Sequence, residues 1–180
     1  YTTGSMIFAN AMVHVADFNG DGAPDIANNN GNSGTIGVLI NNGNGTFKGR
    51  TTYAAGLVAN AVYSGDLNRD GFSDIILTAT GSSTVTILWN NTHGGFGSST
   101  SFNAGAVVGN INESISVADM NGDGYNDLAI GVTDPSVRTF INNKNNSFTA
   151  QQTLSIGGAT GAPRPVFGDM NGDGIQDLLI

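Results

Sequence analysis

One nine-residue pattern, D-x-N-x-D-G-x-x-D, occurs four times in this chain of 180 residues. The copies occupy residues 17–25, 66–74, 119–127 and 169–177, so their first residues stand 49, 53 and 50 positions apart. Of 14 acidic residues, 12 lie in these loops; only Glu113 and Asp134 lie elsewhere. Repetition at this period limits the fold to an array of small modules, each stacking on its neighbours.

The donor pattern points to calcium. This hard cation takes six to eight oxygens at roughly 2.3–2.6 Å. In the first loop Asp17, Asn19 and Asp21 offer side-chain oxygens at alternate positions. Gly22 permits a left-handed turn, Ala23 offers its carbonyl, and Asp25 closes the set. The same five positions are Asp66, Asn68, Asp70, Phe72 and Asp74 in the second loop. They are Asp119, Asn121, Asp123, Tyr125 and Asp127 in the third, and Asp169, Asn171, Asp173, Ile175 and Asp177 in the fourth. The seventh residue varies freely, as expected if only its carbonyl is used. Empty Asx-turns are the plainer reading of any single copy. Four copies in register, each gathering three carboxylates, argue for an ion in each loop. The formal charge of −8 plus four Ca2+ sums to zero. An EF-hand is excluded, because position twelve holds Asn28, Leu77, Ile130 and Ile180 where it needs Glu.

β-structure is expected around the loops. Segments 12–16, 61–65, 114–118 and 164–168 precede them, and the residue before each first Asp is Ala or Gly, which suggests a crowded backbone. Apolar runs at 26–27, 75–77, 128–130 and 178–180 follow. Segments 35–40, 84–89 and 137–141 alternate with period two. Gly/Asn-rich hairpin turns then lead to 46–53, 96–102 and 148–154. No segment reads as a helix. Four strands per repeat of about 50 residues is the signature of a β-propeller blade. The repeats fall at about 5–56, 57–105, 106–157 and 158–180. They give three full blades with partial ones at each end, starting inside a fourth strand at residues 1–4, and imply a single propeller segment of a longer chain.

The stretches V-x-V-A-D-F-N-G-D-G-A-P-D-I-A (13–27), D-L-N-R-D-G-F-S-D-I-I-L (66–77) and N-G-N-G-T-F (42–47) resemble the FG-GAP/VCBS repeat family. Its members include the blades of integrin α-subunit propellers and many secreted microbial propellers. The resemblance covers essentially the whole chain. It implies a propeller with calcium between the first and second strands of each blade. It implies little about ligand, because the scaffold hosts adhesins, lectins and some lyases.

There is no cysteine, so no disulfide framework. A pI near 4.2 with six Lys and Arg argues against nucleic acid, and no apolar stretch is long enough to span a bilayer. Loops of this kind hold calcium in the extracellular affinity range, so a secreted or cell-surface location is expected. Sequons stand at Asn44, Asn90, Asn112 and Asn145, and those at 44, 90 and 145 fall in equivalent hairpin turns, exposed enough to carry glycans. His14, in an alternating strand, reads as structural and His93 as solvated. Trp89 reads as core, and no acid–base pair has catalytic spacing.

The expected function is therefore an extracellular calcium-binding module for adhesion, recognition or assembly. Its partner would be a protein, a glycan or a copy of itself. The alternatives are the propeller of a secreted polysaccharide lyase or other carbohydrate-active enzyme, and a structural subunit of a glycosylated surface layer or filament. Recognition is expected at the strand ends remote from the metal loops, in residues 28–34, 103–112 and 134–138.

Overall fold

The computed structural model describes residues 12–56, 58–79, 81–91, 93–108, 114–158 and 161–180. They hold three four-stranded antiparallel sheets and one two-stranded pair. The first sheet is β1 (Val13–Ala16), β2 (Asp25–Asn29), β3 (Thr35–Leu39) and β4 (Thr51–Ala54). The second is β5 (Ala61–Gly65), β6 (Asp74–Thr78), β7 (Thr84–Asn90) and β8 (Phe96–Asn103). The third is β9 (Ile115–Ala118), β10 (Asp127–Val132), β11 (Ser136–Asn142) and β12 (Phe148–Ser155). The pair is β13 (Val166–Gly168) and β14 (Asp177–Leu179). In every sheet spatial order equals chain order, the up-and-down meander of a blade. Each nine-residue loop therefore joins a first strand to a second. The third-to-fourth hairpin lies at the same end, and the second-to-third turn at the other.

The residues divide into two compact units, one of 1–66, 70–79 and 85–101, the other of 67–69, 80–84 and 102–180. In the first, Phe18, Ile36, Val38, Val62, Ile75 and Leu77 form a core at no more than 1% exposure. Phe96 meets Phe18 edge-on at 5.7 Å and Tyr53 at 5.3 Å, geometries that suit the ring quadrupoles. In the second unit Leu128, Ile130, Val132, Val137 and Phe140 are buried, and Phe102 lies 4.9 Å from Phe140 and 5.5 Å from Phe148. Strands β6 and β10 are buried at every position, because both their faces are covered. That is why they read as continuous apolar runs while β8 and β12 are mostly exposed and polar.

Some expectations change. The strand expected over 46–53 begins only at Thr51, and Phe47 keeps a single bridge to Asn41. Gly49 weakens pairing there, and the Arg50 guanidinium turns away to Asn30 Oδ1 at 2.7 Å. A short 3-10 turn, Gly31–Ser33, interrupts the otherwise helix-free reading and ends at Gly34 with φ +65°. A β-bulge puts an extra residue, Gln151, into β12 opposite Thr139 and Phe140. A Cβ on Gly168 would meet only Met170 Sδ at 3.9 Å, so the small residue there does not mark a crowded backbone. Residues 1–4 lie outside the described residues.

Candidate metal centres and recognition surface

The loops fold around their own carboxylates. In the first, Asp17 Oδ1 accepts from the Asn19 and Gly20 amides at 3.2 and 2.7 Å, and Oδ2 from Gly22 N–H at 2.8 Å. Asn19 Oδ1 accepts from Asp21 N–H and Asp21 Oδ1 from Ala23 N–H, at 2.9 and 2.8 Å. The third and fourth loops repeat these bonds. Asp119 takes Gly122 and Gly124 N–H, and Asp169 takes Gly172 and Gly174 N–H. In the second, Asp66 takes Gly71 N–H and Asp70 takes Phe72 N–H, both at 2.9 Å. The sixth-position glycines, Gly22, Gly71, Gly124 and Gly174, have φ from +82° to +88°. A Cβ on Gly22, Gly71 or Gly174 would touch nothing within 4 Å, so the backbone conformation and not space demands glycine there.

The amides hold the Asp21, Asp123 and Asp169 carboxyls below the usual carboxylate range, the largest cause being the N–H of Ala23, Tyr125 and Gly174 respectively. The closing carboxylates behave oppositely. Asp25, Asp74 and Asp127 are fully buried. Burial raises the pKa of Asp25 and Asp127, and the neighbouring loop aspartates raise it further.

These ninth-position residues have a job that their place as last oxygen donor does not show. Asp25 Oδ2 accepts from Phe18 N–H at 2.9 Å and Oδ1 from Asn41 N–H at 2.7 Å. Asp127 does the same with Met120 and Asn142, and Asp74 takes Asn90 N–H at 2.8 Å. The residue thus pins its loop to the start of the second strand and to the adjoining hairpin.

Among the described residues no three Asp, Glu or His side chains converge as a ready cluster. The donors of each loop are mixed: carboxylates at positions one and five, an amide oxygen at three, a carbonyl at seven. Ionised carboxylates have about four lone-pair sites, so the loop's own hydrogen bonds leave acceptor capacity. An all-oxygen set with accumulated negative charge fits a hard divalent cation and not a soft one.

Three asparagines complete this end of the sheets, and the sequence reading missed them. Asn41 Nδ2 donates to the Pro24 carbonyl at 3.0 Å. Asn90 Nδ2 donates to the carbonyls of Phe18 and Ser73, at 2.7 and 3.0 Å. Asn142 Nδ2 donates to those of Leu67 and Asn126, at 2.6 and 3.0 Å. Their one sequence signal is an Asn-Asn doublet at 41–42, 90–91 and 142–143.

This corrects the reading of Asn90 as a glycosylation site. It occupies the place of Asn41 and Asn142 and is 3% exposed, so a glycan cannot reach it in the folded chain. Asn44 and Asn145 are exposed at matching hairpin positions, each with its Oδ1 accepting the Thr46 or Ser147 hydroxyl at 2.6 Å. Asn112 and Glu113 lie outside the described residues. The seventh residue also does more than offer a carbonyl. The Phe72 ring lies 5.8 Å from exposed His93, tilted by 36°, and covers Gly20, where an added Cβ would come within 2.7 Å of it. The Tyr125 ring is flanked by Arg69 and Lys144.

At the other strand ends, residues 28–30 are not a displayed loop. Asn28, Asn29 and Asn30 are buried, with Asn29 Nδ2 on the Ala59 carbonyl and Asn28 Nδ2 on that of Asn29. Parts of the other two expected segments do come together. Arg138 pairs with Asp134 at 2.7 Å and donates to the Ala104 carbonyl at 2.9 Å. Ser136 also bonds Asp134, whose carboxyl these contacts hold low, Ser136 contributing most. A cavity of about 180 Å³ is lined by Asn103, Gly105, Arg138, Phe140, Gln151 and Gln152. Residues 109–112 lie outside the described residues. Trp89 is buried, its indole N–H on Thr100 Oγ1 at 3.0 Å, and offers no aromatic platform. His14 packs 6.4 Å from Tyr63, and burial lowers its pKa, as suits a structural role.

A family model described as FG-GAP-like repeat matches three overlapping spans, 17–77, 66–130 and 119–180. No curated protein matches the chain significantly. Among similar solved structures is an Agrocybe aegerita lectin described as specifically recognising non-reducing terminal N-acetylglucosamine. Its TM-score is 0.64 at 24% identity, over 94% of this chain and 46% of that one. Another is the Photorhabdus luminescens Tc holotoxin pore, with TM-score 0.58 at 20% identity over 96% of this chain and 8% of that one. The chain thus spans less than half the length of either. At these identities the likeness shows the fold alone.

Proposed function

We propose, for a chain that belongs to the FG-GAP-like repeat family and folds as β-propeller blades, an extracellular recognition module stabilised by about four calcium ions. The observation that carries the reading is the commitment of 12 of 14 acidic residues to four loops of one hydrogen-bonded design. Positions one, three, five, seven and nine of each loop would hold the ion. Bound calcium would neutralise the gathered carboxylates and stiffen the loop ends. The chain's own residues do the rest: Asp25, Asp74 and Asp127 pin the loops, and Asn90 and Asn142 clamp them.

Recognition is assigned to the strand ends remote from the loops, around Arg138 and the Asn103–Gly105 segment, with a protein or glycan as partner. The lectin among the similar folds supports the glycan reading by analogy of fold only. Calorimetric titration should count about four ions. A folded-state ligand contributes about 2.7 kcal/mol per site at a hundredfold excess over its dissociation constant, so EDTA should lower the melting temperature by many degrees. A melt unchanged after verified calcium removal rejects the reading. A glycan array probed with and without calcium tests the partner class.

A further inference from the structure

We infer that the third loop binds calcium more weakly than the first and fourth, because Lys144 and Arg69 bring two positive charges to it. The inference rests on the calcium reading above and goes beyond it by ranking the sites. Lys144 Nζ lies 3.3 Å from Asp123 Oδ2, a fifth-position donor, and 5.4 Å from the Tyr125 ring centre. The Arg69 guanidinium carbon lies 5.8 Å from the same ring. Arg69 also covers Gly124, where an added Cβ would come within 2.6 Å of Nη1.

Both cations sit in backbone conformations that L side chains rarely adopt. Arg69 has φ +65° where the other loops carry Gly20, Gly122 and Gly172. Lys144 has φ +64° where the first hairpin carries Gly43. Both side chains lie within about 6 Å of the centre of one aromatic ring, Tyr125, whose faces attract cations through the quadrupole. Among the described residues neither the first nor the fourth loop shows such a pair. The ion pair that the structure records to a carboxylate of these three loops is Lys144 with Asp123.

An ion entering the third loop must displace the ammonium from Asp123 Oδ2 and then tolerate it nearby. Tyr125 gives the displaced ammonium a place to rest. The third site thus fills after the first and the fourth, and Lys144 sets where in calcium concentration it does so.

Tyr125 also makes the site readable, because the other loops carry Ala23, Phe72 and Ile175 at this position. Terbium bound in the third loop should luminesce through tyrosine excitation, a signal that Tyr125→Phe removes. Calcium displacing that terbium reports third-site affinity. Lys144→Gln should raise it about tenfold, in line with removing a nearby charge at an exposed site. Adding Arg69→Gly should raise it further, while Lys144→Arg should leave it unchanged. In 1 M KCl, where the Debye length is about 3 Å, the gain should shrink to under about threefold. Four ions taken up, with third-site affinity unmoved by Lys144→Gln, overturn the inference and leave the calcium reading standing. A gain insensitive to salt also overturns it. No calcium uptake by calorimetry overturns both.

Discussion

The Asn90 carboxamide donates to the Phe18 carbonyl at 2.7 Å and to the Ser73 carbonyl at 3.0 Å, so one buried side chain holds the first acidic loop and the second. Its Oδ1 accepts Gly94 N–H at 3.3 Å. Repeat proteins transmit stability through such nearest-neighbour contacts. An asparagine in this place works because only a primary amide supplies two donors and an acceptor from one short stem.

Asn90→Ala strips two carbonyls of their buried partner. An unsatisfied buried polar group costs about 1–3 kcal/mol. A loss of roughly 2–4 kcal/mol is expected in urea unfolding, since two carbonyls are affected. Calcium affinity in the first two loops should fall with it. Asn44→Ala, at an exposed hairpin position, should change stability by less than about 0.5 kcal/mol. Equal costs for the two variants would contradict the clamp.

The same burial predicts a pattern of modification. Expressed in a host that glycosylates N-x-S/T sequons, the folded chain should carry glycans at Asn44 and Asn145 and none at Asn90. Peptide mass mapping after enzymatic deglycosylation reads this directly. A fully occupied Asn90 would mean that modification precedes folding of that blade.

Acid should separate the calcium-loaded from the calcium-free protein. Burial raises the folded-state pKa of Asp25 and Asp127. Without metal, the stability linked to them is present below the ordinary carboxylate range, near 3.9, and lost as pH rises through their raised values. Asp21, Asp123 and Asp169 are lowered, so theirs is present above that range and lost as pH falls through their lowered values. The two sets oppose each other in the free protein. Calcium needs all of them ionised and loses Asp25 and Asp127 first on acidification. The rise in melting temperature given by calcium should therefore shrink steadily between pH 7 and pH 4. An increment constant over that interval would show that these carboxylates do not hold the ion.

How much of this was readable depends on how local the cause is. The strands flanking each loop could be placed because apolar runs beside a fixed loop leave little choice; β5 lies where its residues put it, at Ala61–Gly65. The late start of β4 was not legible, because the contact that Arg50 makes beside it reaches Asn30 across 20 positions. Asn28, Asn29 and Asn30 read as a polar loop, yet partners such as Ala59 and Arg50 allow them to be buried. Asn41, Asn90 and Asn142 looked like turn formers, because Asn is common in turns for reasons unrelated to clamping. The proposed metal donors rest on a pattern repeated four times. The pinning role of Asp25 was not legible, because Asn41, the partner of its Oδ1, lies 16 residues away.

The assignment of recognition to the remote strand ends turns on Arg138. Its guanidinium joins Asp134 to the Ala104 carbonyl and lies against Gly105, where a Cβ would fall 1.9 Å from Nη1. The group is mostly buried and borders the cavity with Asn103, Gln151 and Gln152. Arg138→Ala removes two hydrogen bonds, one of them the ion pair with Asp134, and one cavity wall. A half-exposed pair adds little by itself, so the stability loss should stay near 1–2 kcal/mol. Calcium stoichiometry should not change, because among the described residues Arg138 bonds Asp134 and Ala104 and neither lies in an acidic loop. Partner affinity should fall about tenfold or more, the usual effect of losing an arginine central to a binding patch. Surface plasmon resonance on a hit from the glycan array measures Arg138→Ala beside Asn44→Ala and Asn145→Ala. Undiminished binding by Arg138→Ala, together with its loss in Asn44→Ala or Asn145→Ala, would move the interface to the metal-loop end and overturn the assignment.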